Sequence, residues 1–358
     1  AAALMNRYGL RNVTLAAQLI VVSGLVTSLA MTQVWQLILL WGVVIGIGTG
    51  MTALVLGATI ATRWFVARRG LVIGMLTASV ATGQLAFLPL LATITERYGW
   101  RVALGFVCVM LGVAAFAVLM LMRDRPSDVG LRPFGDNGTA PLPAPPPANA
   151  PIMAAALGTL RESSKSSVFW ILFATFFVCG ASTNGLVQVH LIPMCLDFGI
   201  PQVQAASLLA AMGIFDFFGT IISGWLSDRY DNRYLLFWYY GLRGLSLLYL
   251  PYSDFTFYGL SLFAMFYGLD WIATVPPTVR LTAQRFGAER ANLVFGWIFA
   301  GHQLGAGAAA FGAGVSRTVY SSYLPAFFIA GALCVCAALI TDRKSTRLNS
   351  SHMSISYA

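Results

Sequence analysis

The sequence predicts an all-α protein that crosses a lipid bilayer many times. Of its 358 residues, 58% are apolar and 10% are charged, whereas soluble domains carry about 25% charged residues. Mean hydropathy is +0.75. Apolar runs recur along the chain, many of them near the roughly 20 residues that span a hydrocarbon layer of about 30 Å. In lipid such a run must satisfy its own backbone, and helix does this within one segment. A strand barrel would instead show alternating runs of about 10 residues, and the sequence has none.

Ten spans are expected, at 13–30, 34–58, 70–93, 101–122, 168–190, 204–226, 234–251, 256–278, 291–314 and 324–341. Fifteen basic residues fall in the loops of one side, among them Arg63, Arg68, Arg69, Arg123 and Lys165, against Arg97, Arg101 and Arg317 on the other. Basic loops stay on the cytoplasmic side, so the loop 123–165 is expected there, in a bacterial-type inner membrane. The net charge of +9 thus marks topology and not a nucleic-acid surface. Cys108, Cys179, Cys195, Cys334 and Cys336 show no metal-ligand or redox spacing and read as small core residues.

The hinge between the spans 204–226 and 234–251 reads Gly224-Trp225-Leu226-Ser227-Asp228-Arg229-Tyr230-Asp231-Asn232-Arg233. A weaker copy stands at Leu4-Met5-Asn6-Arg7-Tyr8-Gly9-Leu10-Arg11, at an offset of 222 residues. The same offset maps Arg63 onto Arg285, Gly74 onto Gly296 and Gly83 onto Gly305. Two regions sharing one offset indicate homologous halves of the same orientation. The halves are expected at 1–122 and 166–341, joined by the linker 123–165. Its Pro- and Ala-rich stretch 140–151 reads as extended. Two spans precede the second hinge and only Ala1–Met5 precede the first. The repeat therefore predicts that the first helix and most of the second lie before residue 1. The segment 342–358 lacks helical patterning, resembles an in-frame translation of a sequencing adapter and is set aside.

Two six-helix halves with this hinge resemble the major facilitator superfamily, whose hinge runs roughly Gly-x-x-x-Asp-Arg-x-Gly-Arg-Arg. Gly224, Asp228, Arg229 and Arg233 match it in the second copy, and Arg7, Gly9 and Arg11 in the first. Asn6 stands where the family has Asp, so that latch lacks its charge. Within the superfamily, Arg63-Trp64-Phe65-Val66-Ala67-Arg68-Arg69-Gly70, Tyr98-Gly99-Trp100-Arg101 and the Asn184…His190-Leu191-Ile192-Pro193 end resemble the monocarboxylate and oxalate–formate porters. Animal monocarboxylate porters carry Asp and Arg four apart on the eighth helix. Here Asp216 is followed at that spacing by Thr220.

Asp216, Arg243 and Asp270 are the charged side chains well inside the expected spans. A charge at the bilayer centre costs about 2.5–3.5 kcal/mol on insertion scales, so each needs a partner or water. Two readings stand: a site where a carboxylate handles protons and Arg243 holds a substrate carboxylate, or a structural ion-paired cluster. His190 and His302 titrate near neutrality and serve as proton relays or as plain hydrogen-bonding residues. Asn184 and Gln188 polarise the helix that the resemblance places at the cavity. Tyr267, Trp271, Pro276 and Pro277 suggest a bendable wall. The spacings Gly42/Gly46/Gly50 and Gly70/Gly74 allow close helix contact.

No phosphate loop or metal cluster is present in the sequence, so no catalytic activity, cofactor or metal is expected. The resemblance implies a monomeric secondary transporter of a small organic anion, coupled to protons, whose two halves alternate access. The hinge residues would act as its gate. Export of amphipathic compounds, or a receptor on the same fold, are the alternatives.

Overall fold

The computed structural model describes residues 2–66, 69–136 and 152–343. The stretch 140–151 and the segment 344–358 lie outside them. In order, the helices are α1 (Ala2–Tyr8), α2 (Leu10–Ser28), α3 (Val34–Leu37), a π-helical turn (Ile38–Ile45), α4 (Gly46–Trp64), α5 (Arg69–Tyr98) and α6 (Trp100–Leu121). After a 3₁₀ turn (Pro126–Val129) come α7 (Ile152–Ser163), α8 (Ser167–Gly180), a second π-helical turn (Ala181–Val187) and α9 (Gln188–Asp197). Then follow α10 (Gln202–Ser227), α11 (Asn232–Tyr249), α12 (Phe257–Asp270), α13 (Val275–Phe286), α14 (Ala288–Tyr320) and α15 (Leu324–Arg343). Among the described residues no strand forms beyond a single bridge, Phe65 to Phe134.

Each of the ten expected spans falls mainly on helix, the one at 256–278 being broken at residues 271–274. Among the described residues, eight helical runs are long and apolar enough to cross a membrane. The other two expected spans lie on α5 and on α11, whose 18 residues carry Arg243. The last helix runs two residues beyond the expected boundary, through Arg343. The segment after α6 is tied down: the Val66 N–H donates to the Phe134 carbonyl at 2.9 Å, and the Phe134 N–H to Trp64 at 2.8 Å.

The chain divides into two compact units, one of residues 1–73 and 90–159, the other of 74–89 and from 160 onward. In the first, α2 packs on α4 and α6, with Met5, Leu10, Val13 and Val55 forming a buried core. Here Gly24 and Gly48 make the close approaches, to Ile45 and to Val21 and Ala17. Gly42 and Gly50 face open space, and Gly46 meets only a carbonyl of its own helical run. The spacing of Gly42, Gly46 and Gly50 therefore does not mark a helix contact, because periodicity alone does not say which face is covered.

The second unit is built from three tight helix pairs: α8 with α14, α10 with α12, and α11 with α15. Each pair has a glycine on both partners. A Cβ on Gly180 would collide with the His302 backbone and one on Gly305 with Phe177; Gly219 and Gly268 oppose Leu269 and Met212, and Gly244 opposes Gly331. Lipid tails are as apolar as leucine, so helices in a bilayer associate through close packing of this kind rather than by leaving water. Leu186, Leu191, Met194, Leu209, Phe263 and Phe327 fill the core around these seams.

Candidate functional site: a clasped helix break and a buried ion pair

The polar centre of the second unit begins with two prolines. Pro276 and Pro277 have no N–H, so the carbonyls four residues back, at Ile272 and Ala273, lose their helical donors. The helix duly breaks between Asp270 and Val275. Broken backbone inside a membrane persists only where neighbours satisfy the freed groups. Val275 N–H turns to the Ile272 carbonyl, at 2.9 Å. Ser223 Oγ on α10 donates to the Ala273 carbonyl at 2.5 Å. Asp216 Oδ1, also on α10, accepts the Ile272 N–H at 2.9 Å. Arg243 Nη2 on α11 donates to the carbonyls of Asp270 and Trp271, at 2.5 and 3.0 Å.

The same guanidinium pairs with the Asp270 carboxylate, Nε to Oδ2 at 2.7 Å. Its Nη1 donates to Cys179 Sγ at 3.1 Å, and Thr274 Oγ1 lies 3.3 Å from that sulfur. Arg243 is 1% exposed and sits 5.7 Å from the Tyr240 ring centroid. One buried polar atom here, Asp270 Oδ1, has no hydrogen-bond partner. A buried pair is weak evidence for stability, but removing one partner strands a charge. Arg243 spends its donors on Asp270, Cys179 and two carbonyls. Its geometry is that of a cross-brace between α11, α12 and α8.

The remaining candidates separate. Tyr267 donates to the Ser182 carbonyl at 2.7 Å and is wholly buried. Thr220 donates to Asp216 Oδ1 at 2.9 Å, so the threonine at the spacing of the animal-type arginine serves as a hydrogen-bond donor to that carboxylate. His190 Nε2 lies 2.9 Å from the Ala310 carbonyl and the ring packs on Tyr323, apart from the cluster. His302 stacks on Phe299 with centroids 5.3 Å apart. Asn184 is half-buried on the second π-helical turn, and Gln188 is exposed one turn further along.

Gly224 lies in the last turns of α10, and each hinge pairs within its own unit. Asp228 forms an exposed ion pair with Arg280 of α13. Arg229 lies over the Trp225 ring at 4.0 Å, and Arg233 lies 3.5 Å from Asp231, whose carboxylate caps α11. In the first hinge Asn6 Oδ1 accepts from the Arg63 guanidinium at 2.9 Å, so a neutral amide stands where the family's carboxylate would complete an ion pair. Arg7 lies beside the Tyr8 ring. Asp124, just past α6, accepts the Arg11 N–H at 2.8 Å and fills the space beside Gly9, whose φ of 87° suits glycine. Sequence reasoning did not single out Asp124, Ser223 or a partner role for Cys179. The one available signal was a carboxylate placed directly after a span.

A bundle of long apolar helices with one discontinuous helix and buried charges among its residues defines a multi-pass helical membrane protein. The chain belongs to the Major Facilitator Superfamily, whose family model matches residues 1–310. It is 25% identical over 296 residues to the uncharacterized MFS-type transporter YcxA of Bacillus subtilis (strain 168), covering 80% of this chain and 66% of that protein. It is 27% identical over 283 residues to monocarboxylate transporter 12-B of Danio rerio, covering 71% of this chain and 56% of that one. Monocarboxylate transporter 13 of Bos taurus is 26% identical over 336 residues, covering 92% and 72%. The chain thus spans two thirds or less of the first two relatives' length. The crystal structure of a variant of the E. coli fucose:proton symporter FucP superimposes with a TM-score of 0.61 at 14% identity, covering 95% of this chain and 85% of that one, and so shares the fold.

Proposed function

We propose that this protein is a secondary transporter of a small organic anion of the monocarboxylate kind, coupled to protons and working by alternating access in a bacterial-type inner membrane. The observation that carries the proposal is the buried Arg243–Asp270 pair, in a chain whose curated relatives include monocarboxylate transporters. Asp270 is the proton carrier. One of its oxygens faces Arg243, and the other is buried with no partner, placed to hold a proton. Protonation would neutralise the carboxylate, leave the Arg243 cation without its counter-charge and loosen α11 from α12. Asn184 and Gln188 are the polar contacts for substrate, one helical turn apart near the second π-helical turn. The exposed Asp228–Arg280 pair is a latch that forms and breaks during the cycle.

The test is uptake into proteoliposomes under an imposed pH gradient, with a panel of radiolabelled short carboxylates and matched neutral and cationic compounds. Carboxylate uptake with co-movement of protons is expected. Asp270→Asn should abolish gradient-driven accumulation while sparing exchange of internal for external substrate. Gradient-driven accumulation at the wild-type rate by Asp270→Asn would remove Asp270 from the proton path, and uptake confined to neutral or cationic compounds would overturn the anion assignment.

A further inference from the structure

The four residues 271–274 join two helical rods, α12 and α13, and are held partly by short turns of their own chain, Trp271 N–H to the Gly268 carbonyl and Val275 N–H to that of Ile272, and partly by neighbouring helices. The prolines remove two donors, and the backbone groups of residues 270–273 turn outward to three side chains on two neighbouring helices. Asp216 and Ser223 reach the break from α10, and Arg243 from α11. Asp216 is buried, and one oxygen takes both the Ile272 N–H and the Thr220 hydroxyl. A carboxylate used in this way substitutes for a missing helical carbonyl. Ser223 substitutes for a missing N–H, and Arg243 caps the end of α12 as a cation at a helix C-terminus does.

We propose that residues 271–274 are a hinge between α12 and α13, and that Asp216, Ser223 and Arg243 are positioning residues that fix its angle. Asp216 acts through its acceptor oxygen and not its charge, which separates it from the proton-carrying role assigned above to Asp270. The two neighbours that clasp the break are themselves locked, α10 onto α12 by Gly219 and Gly268, and α11 onto α15 by Gly244 and Gly331. The clasp therefore sits on rigid rods, and the bend at 271–274 is where α12 and α13 change their mutual angle. Hinge positions of this kind absorb the backbone change of a conformational cycle while lying apart from the substrate.

The test has two arms, and only the second rests on the transport reading. In the first, spin labels are attached through genetically encoded ketone residues at Leu262 and Gln284, exposed positions on α12 and α13. Distances between them are measured on the full chain in nanodiscs. The wild type and Asp216→Asn, which keeps an acceptor oxygen, should give the same narrow distribution. Asp216→Leu and Ser223→Ala should broaden or shift it, the second more mildly, so that Ser223→Ala decides the matter if Asp216→Leu fails to fold. Unchanged distances in Ser223→Ala and Asp216→Leu would overturn the proposal. In the second arm, Asp216→Asn should transport within about threefold of the wild type at all pH values, with Asp216→Leu at least tenfold slower in kcat and unchanged in KM. Loss of transport in Asp216→Asn equal to that in Asp216→Leu would show that the charge itself is required and would overturn the acceptor role, whatever the distances.

Discussion

Replacing Arg243 with methionine should be the most damaging change of a single charged residue in the second unit, and a second substitution should partly repair it. The guanidinium holds the Asp270 carboxylate, the carbonyls of Asp270 and Trp271, and the Cys179 sulfur. Arg243→Met strands the buried carboxylate, which costs about 3–5 kcal/mol. It also orphans two carbonyls at about 1–3 kcal/mol each. The sum is roughly 5–11 kcal/mol, as large as the whole stability of many domains. Adding Asp270→Leu removes the stranded charge but leaves the carbonyls, so the double variant should cost only about 2–6 kcal/mol. The double variant is thus expected to be more stable than Arg243→Met alone by about 3–5 kcal/mol, although it departs further from the native sequence. The assay is SDS-titrated unfolding of the purified protein, followed by intrinsic tryptophan fluorescence. If the double variant unfolds at the same denaturant concentration as Arg243→Met or earlier, the stranded carboxylate is not the dominant cost and the reasoning fails.

The exposed Asp228–Arg280 pair leads to the opposite expectation. Asp228→Ala should shift unfolding by under about 1 kcal/mol yet slow transport several-fold, checked by SDS titration beside proteoliposome flux. Gly219→Leu should abolish a monodisperse folded protein, because its side chain would meet the Leu269 backbone, whereas Gly296→Ala, facing open space, should be tolerated; fluorescence-detected size exclusion separates the two. Asp124→Ala removes the acceptor for the Arg11 N–H at the start of α2 and should cost about 1 kcal/mol, the usual value of a lost helix cap. Amide exchange at residues 10–13 reads that change directly.

Much of the fold could be read from residues because the bilayer leaves few choices. A run of twenty apolar residues must be mostly helix, and all ten expected spans are, the one at 256–278 with a break at 271–274. The expectation of two halves rests on Arg and Gly identities at one offset, which are hard to produce by chance among apolar residues. The intramembrane charges were legible as a cluster for the same reason: Asp216, Arg243 and Asp270 each demand a partner. Their division of labour was not. Arg243 and Asp270 find each other directly, while Asp216 turns to the Ile272 N–H, left without a helical acceptor at the break in the chain between α12 and α13. That pairing depends on which face of α10 meets α12, and the determinant is Gly219 opposite Leu269, a contact that leaves no periodic trace. Gly42, Gly46 and Gly50 have the regular spacing and no partner. Asp124 escaped notice because a cap is recognised by what it caps, and Arg11 is 113 residues away.

The second π-helical turn has a bearing on how Asn184, Gln188 and His190 came to point where they do. Such a turn holds one residue more than an α-helical turn, and one residue is worth about 100° of rotation about the helix axis. The stretch from Gln188 to Asp197 is therefore indexed about a quarter-turn away from the face that α8 alone would dictate. A deletion of a single residue within Ala181–Val187 would leave composition and hydropathy almost untouched, yet swing Gln188 and His190 onto a different side of the helix. In this stretch, chain length by itself acts as a setting of orientation, and relatives that differ by one residue here would present a different polar face.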